Sequence, residues 1–375
     1  MSDKVTDSRL MVGSSLITSA TSMINVYMGL HVYSLGGSLS DVALIYSSSL
    51  LATLLGRLPT GRVIDRGYPA GRLMYLGIAL MSVSTAIITI IDDLVVITLA
   101  NAVRGFGSGA FHVSFLSVTS SLPRKSASLV IVGPPLGMAI GPSIASAVFL
   151  ISETHGIMLS STLLYALSSP LIPRALSRYA DASDDGEVGD SKKFWRSEVL
   201  FVLYNRAAVS YVIGTLYTIV PFYALSLGMS GEQVGLMFFV GALMNALIRP
   251  VIGRISLSTR VEVFMAQSIL IISLIIITLR DPILPWIAMS LYGVGAGTFV
   301  STAILSINEL SPNKRRGSMT AMIALMMDVG NSLGSLFAPL IYDRYGPDFT
   351  FLMTASVIGS GALFSLILNR TSRVQ

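Results

Sequence analysis

Cysteine is absent from the 375 residues, which excludes disulfides, thiol nucleophiles and Cys-ligated metal sites. Charge is scarce as well: 12% of residues are charged, whereas a soluble domain carries roughly 25%. There is no HExxH and no Gly-Lys dipeptide, and the G-x-S-x-G match, Gly330-Asn-Ser-Leu-Gly334, lies inside an apolar run with no strand before it, so hydrolysis and ATP-driven pumping lack recognisable equipment and an enzyme is not expected. The Met326-Met327 pair has no His or Cys grouping beside it in the sequence, so no metal site is expected, and no cofactor. What the chain does contain is apolar: 53% of it is hydrophobic, with a mean hydropathy of +0.73. A lipid-facing surface removes the need for charge and penalises it by about 3 kcal/mol per group at a helix centre. The chain reads as an integral membrane protein.

A formal charge of +5 and a pI near 9.4 could suggest nucleic acid, but the basic residues sit at the ends of apolar runs, and no nucleic-acid partner is expected. The polar start, Met1 to Ser8, leads into an apolar run longer than a signal-peptide core and without a clear cleavage site; it reads as a retained first helix. Spans of about 20 apolar residues cross the hydrocarbon layer. The first six lie near 10–34, 40–63, 72–91, 94–118, 128–151 and 156–175, and six more near 198–225, 231–254, 261–279, 284–309, 317–342 and 349–369. The expected architecture is therefore an all-α membrane protein of twelve transmembrane helices in two six-helix bundles, residues 1–176 and 198–375, joined by a linker at 177–197.

Orientation follows from the basic residues. All 25 Lys and Arg except Arg104, Arg206, Arg280 and Arg344 fall on one face, and that face is cytoplasmic. Both termini are then cytoplasmic, in a multi-pass protein of the plasma membrane. The opposite loops carry Asp92, Asp93, Glu153, Asp281 and Asp348, among other acids. The linker holds Asp181, Asp184, Asp185, Glu187 and Asp190, then Lys192, Lys193 and Arg196, too polar a stretch to fold alone.

The two halves repeat one another. Arg104-Gly-Phe-Gly-Ser-Gly-Ala-Phe111 matches Tyr292-Gly-Val-Gly-Ala-Gly-Thr-Phe299 at an offset of 188 residues. Gly133-Pro-Pro-Leu-Gly137-Met-Ala-Ile-Gly141-Pro142 matches Gly330-Asn-Ser-Leu-Gly334-Ser-Leu-Phe-Ala338-Pro339 at 197, and Gly61-Arg62 matches Gly253-Arg254. Matches in the same order indicate a pseudo-symmetric pair of bundles, whose crevice is the natural seat of transport by rocking.

These motifs resemble the major facilitator superfamily over essentially the whole chain. Gly61-Arg62-Val-Ile-Asp65-Arg66, followed by Gly71-Arg72, is similar to the signature loop of that family, with a longer spacer before Gly71. An acid at a helix end can accept from the N–H groups opening another helix. The resemblance implies that Gly61, Arg62, Asp65, Arg66 and Arg72 form a gating latch; ordinary positive-inside anchoring is the plainer reading of the arginines. The second-half copy, through Arg260, has no matching acid, so the gate is expected to be asymmetric. Gly133, Gly137, Gly141 and Pro142 resemble the fifth-helix signature of drug:proton antiporters. Glycines at this spacing open a groove for close helix approach, while Pro134, Pro135 and Pro142 favour bends, so a hinge is expected there.

Charges inside spans are costly and mark function. Arg104 shares a helical face with Ser108, Phe111 and Phe115; the resemblance places that face in a central cavity and gives the arginine a part in proton relay. The alternative is a structural arginine tied to backbone carbonyls. Asp328 is the carboxylate placed near mid-membrane and the lead proton-coupling residue, or else a permanent partner of Arg206 or Arg104. Arg206 shares a face with Ser210 and Tyr217. With Asn25, Tyr27, His112, Asn245, Tyr292, Phe299 and Asn331, these residues are expected to line a substrate site, although a lone polar residue in such a helix can equally be packing glue.

The resemblance of the fifth-helix motif to that of antiporters implies export over uptake, so the function expected is proton-coupled export, by alternating access, of small amphipathic or cationic organic compounds, with the substrate, protons and the bilayer as partners and a monomer as the working unit. An uptake symporter or facilitator for a small metabolite such as a sugar or carboxylate is the alternative within transport. A membrane enzyme or receptor on the same architecture is the alternative outside it.

Overall fold

A bilayer offers backbone N–H and C=O groups no partners, so a segment that enters it closes its own hydrogen bonds as helix. The computed structural model describes residues 2–120, 122, 126, 130, 132–172, 197–252, 257–310 and 316–371, and among these the regular elements are all helical. They are α1 (Ser2–Ser34), α2 (Leu39–Asp65), α3 (Ala70–Ile90), α4 (Leu94–Ser120), α5 (Gly133–Ser168), α6 (Ser197–Ser226), α7 (Gly231–Ile252), α8 (Thr259–Ile276), α9 (Leu284–Leu310) and α10 (Arg316–Thr371). Short 3₁₀ turns, Ser169–Leu171 and Ile277–Leu279, extend α5 and α8.

Two of these helices are double. α5 breaks at Ser152 and Glu153, and Glu153 takes a left-handed φ of 50°. α10 breaks at Gly346, φ 79°, where the following Pro347 cannot donate to the helix and pushes its predecessor out of helical geometry. Each half of α5 and α10 coincides with one of the expected crossings, so the described residues supply twelve helical segments, one for each expected crossing. Their ends differ from the expected ones. α1 starts at Ser2 rather than near residue 10, because a helix needs apolar residues only while it is in hydrocarbon. The expected start of the fifth span at 128 gives way to α5 at Gly133. Pro134 and Pro135 sit in its opening turn, where the N–H groups lack intrahelical partners anyway. They start the helix and do not bend it, and Pro142 is the proline inside it.

Helix ends carry local signals. Ser38 and Asp41 form a reciprocal capping box on α2, with Ser38 N–H donating to Asp41 Oδ2 at 2.8 Å and Asp41 N–H to Ser38 Oγ at 3.3 Å. Asp93 accepts from the N–H groups of Val95 and Val96, both at 2.9 Å, and opens α4. α1, α2 and α6 end alike. Gly36, Gly67 and Gly228 have φ of 83°, 84° and 82°, and the following residue's N–H closes onto Val32, Val63 and Ala224, the paired bonding of a Schellman cap. Gly36 and Gly228 lie in two Ser-Leu-Gly copies, Ser34–Gly36 and Ser226–Gly228, a further internal repeat that the sequence comparison above did not use.

The chain divides into two compact units: residues 1–184 with Gly231–Phe239, and 185–230 with 240–375. In the first, α1 packs along α5, α2 along α4, and α3 against α4 and α5. In the second, α6 packs along α10, and α8 against α9 and α10. The same pairing order thus recurs in both units. Much of the linker at 177–197 and the Gly253-Arg254 copy lie outside the described residues, as does the side chain of Asp65.

Candidate functional site

In the first unit, glycines let α4 approach its neighbours. A side chain at Gly105 or Gly109 would collide with the α2 backbone at Ser49 or Thr53, and one at Gly107 would strike Gly77 of α3. This close approach brings Arg104 against α2. Arg104 is 5% exposed. Its Nε donates to Asn101 Oδ1 at 2.8 Å and Nη2 to Ser49 Oγ at 3.3 Å, while Asn101 Nδ2 donates to the Ile45 carbonyl at 2.9 Å. The side chains holding the cation are neutral, and they replace the backbone carbonyls of the simpler structural reading.

Around Arg104, Ser108 is half-buried, and the rings of Phe111 and Phe115 stack at 5.8 Å. His112 lies within electrostatic range of Arg57 on α2. Asn25 is half-buried, and its backbone carbonyl accepts from the Tyr46 hydroxyl at 2.6 Å. Tyr27 departs from the expected lining role. It is fully buried, its hydroxyl donates to the Gly231 carbonyl at 2.8 Å, and its ring lies 5.5 Å from Phe149. A hydroxyl already committed to a backbone acceptor is a packing group. Ser146 makes the neighbouring bond, to the Glu232 carbonyl at 2.7 Å, so the opening turns of α7 are held by side chains of α1 and α5.

The second unit repeats the helix approach and changes the chemistry. Gly293 and Gly297 of α9 sit against Gly241 and Asn245 of α7, and Gly295 against Ala266 and Leu270 of α8. Position 292, which matches Arg104, is a tyrosine. The charges come instead from α6 and α10. Arg206 is 7% exposed and Asp328 4%, and Asp328 is the favourable electrostatic neighbour of the guanidinium, with Tyr292 and Arg249 also in range. Tyr217 interacts with Tyr292 in turn. Asn245 accepts from Arg249 Nε at 3.1 Å and Nη2 at 2.8 Å. Asn331 lies against Gly214 of α6, and Phe299 is fully buried. Arg206, Asp328, Tyr217 and Tyr292 therefore gather in one unit, while Arg104 and its neutral partners belong to the other.

The glycines expected to act as a hinge pack tightly in this structure. Gly133, Gly137 and Gly141 of α5 face Met11, Ser15 and Ser19 of α1, leaving no room for side chains, and Ser22 Oγ donates to the Gly137 carbonyl at 3.4 Å. Gly330 and Gly334 of α10 meet Ala207 and Tyr211 of α6 in the same manner. In the expected latch, Arg62, Arg66 and Arg72 are exposed and Gly61 has open space beside it.

Sequence reasoning missed several groups. Glu262, read as a span end, is 5% exposed and accepts from Thr302 Oγ1 at 2.8 Å; one turn on, Gln267 donates to Asn205 of α6. Asp348 hydrogen bonds Arg280 at 2.6 Å across exposed turns and holds its guanidinium above the ordinary value. His31, Asp92 and His155, far apart in sequence, converge at the end of α1. Of these, only the polar residues at i and i+5 on α8 left a local trace that could have been read.

Comparison with known proteins then bears on the whole chain. A family model described as Major Facilitator Superfamily matches residues 10–306 and 284–374. Among solved structures, the nucleoside transporter NupG aligns with a TM-score of 0.79 at 13% identity, covering 97% of this chain and 98% of that one. A bacterial homolog of the human lysosomal transporter Spinster aligns with a TM-score of 0.77 at 12% identity, covering 98% and 97%. A variant of the peptide transporter POT in complex with sulfate gives 0.76 at 13%, covering 98% and 94%. At these identities the likeness is one of fold. The search of curated proteins gave no match.

Proposed function

The chain belongs to the major facilitator superfamily, a transporter and not an enzyme, and from that premise we propose that it is a proton-coupled exporter of small amphipathic or cationic organic compounds working by alternating access. The observation that carries the reading is the buried Arg206–Asp328 neighbourhood in the second unit. A carboxylate there can exchange its cation for a proton, and the exchange alters the charge of the pocket at the moment of loading. Tyr292, in electrostatic range of Arg206, and Tyr217, in range of Tyr292, add aromatic rings to that neighbourhood, chemistry suited to organic cations. The fifth-helix glycine motif supports export over uptake by resemblance. Arg104 is the second proton-coupling residue and takes part in the relay, and Asp65 with its arginines latches the closed state. We place the working monomer in the plasma membrane with both termini cytoplasmic and the bundles at 1–176 and 198–375.

A second reading, uptake or facilitated diffusion of a polar metabolite, is favoured by one feature. Arg104 is held by neutral Asn101 and Ser49, so these partners do not neutralise the cation, and it can meet a carboxylate-bearing metabolite. Nucleoside and peptide transporters share the fold.

Proteoliposomes with an imposed pH gradient separate the two. The export reading expects organic cations to drive substrate-dependent proton movement that disappears in Asp328→Asn. Proton movement unchanged in that variant removes Asp328 from coupling, and gradient-independent flux of carboxylates, nucleosides or sugars replaces the first reading with the second.

A further inference from the structure

The chain has three histidines, and two of them meet. His31 near the end of α1, Asp92 in the turn between α3 and α4, and His155 just past the break in α5 bring their ligand-competent atoms within 4.8 Å of one another. All three belong to the first unit, and none is among the residues assigned above to coupling or substrate.

His31 has no exposed surface. Its Nδ1 lies 3.1 Å from Thr154 Oγ1, and its Nε2 is buried without a hydrogen-bond partner. The Ile88 carbonyl interacts with this ring but makes no hydrogen bond of normal geometry with Nε2. When Nδ1–H donates to Thr154, Nε2 is left with a free lone pair on an oriented, neutral ring. An outer partner that fixes tautomer and orientation in this way is what metal-ligating histidines have.

The other two ligands lie on the wet side. His155 Nε2 is 3.2 Å from Asp92 Oδ1, and the two side chains are 50% and 58% exposed. The His31 and His155 rings are edge to face, with centroids 5.0 Å apart. Zn–N bonds of about 2.0–2.1 Å require the ligand atoms to draw together from their present spacing. Rotation of exposed Asp92 and His155 toward the fixed His31 Nε2 accomplishes this.

We propose that His31, Asp92 and His155 bind a divalent transition-metal ion of the zinc class. Two imidazole nitrogens and one carboxylate suit Zn²⁺ and its neighbours. Ca²⁺ and Mg²⁺ call for six or more oxygen ligands, and soft Cu(I) calls for sulfur. Three protein ligands leave a fourth position for water. The ion clips the end of α1 to the α3–α4 turn and to the second half of α5, and it displaces the direct His155–Asp92 bond.

The test is calorimetric titration of Zn²⁺ into the full-length, metal-stripped protein, purified in detergent without a histidine tag. One equivalent binds with saturation, Mg²⁺ in excess does not displace it, and His155→Ala and Asp92→Ala each weaken it by about tenfold or more, as loss of a ligand demands. Both changes are at exposed positions, and gel filtration confirms the fold; His31→Gln is the buried counterpart. Absence of saturable one-equivalent binding, displacement by Mg²⁺, or a loss below tenfold in either exposed-position variant overturns the proposal. The readout is binding to purified protein, so failure of the export reading leaves it standing.

Discussion

Arg206 and Asp328 sit in a low-dielectric interior where each charge is costly alone and tolerable beside the other. Removing one should leave the other stranded. We expect Arg206→Met and Asp328→Asn each to lower the thermal stability of the detergent-solubilised protein, and the double variant to lose less than the sum. A coupling of roughly 0.5–3 kcal/mol is expected for residues that share one charge network, and strictly additive losses would show that the two do not act as a pair. Arg104 behaves differently at the same scale, because its partners are neutral and carry no compensating charge. The sequence showed that both arginines are embedded. It could not show what each one faces, since Ser49 and Ile45 of α2 reach α4 only through packing.

At the scale of elements, glycines divide into those that admit a neighbour and those that do not. Gly105 and Gly293 meet the backbone of an adjacent helix, whereas Gly61 has nothing within 4 Å of an added Cβ. Gly105→Ala and Gly293→Ala should therefore destabilise by about 1–3 kcal/mol through overpacking. Gly61→Ala should leave stability unchanged or raise it by up to about 1 kcal/mol, as alanine in place of glycine does in a helix. Its transport rate should nonetheless fall if another helix approaches that face during the cycle. Thermal unfolding and proteoliposome flux read the two effects separately, and full flux in Gly61→Ala would remove the glycine from the latch. The spacing of the α4 and α9 glycines was legible in the sequence. That alternate members of each set face different neighbours was not, since it depends on which helices lie on either side.

For the whole molecule, two units with recurring helix pairings imply that each half carries its own core. Residues 1–184 and 185–375 expressed together as separate chains should co-purify and retain flux, while either half alone should have none. Co-purification failing in a well-expressed pair would show that the covalent connection is needed for assembly. The bonds of Tyr27 and Ser146 to the Gly231–Glu232 turn qualify the boundary, because that short part of α7 packs with the first half.

The amino-acid sequence by itself determined the membrane setting, the twelve crossings and the duplication, because hydropathy, span length and repeated glycines are local properties of a chain that must satisfy its backbone without water. It also located Arg104, Arg206 and Asp328, since a charge inside an apolar run is conspicuous wherever it points. Only the tertiary structure decided their company. Ser49 against Arg104, Asp328 beside Arg206, Glu262 bonded to Thr302, and the meeting of His31, Asp92 and His155 each join elements distant in sequence, and contact between distant residues is set by packing rather than by periodicity.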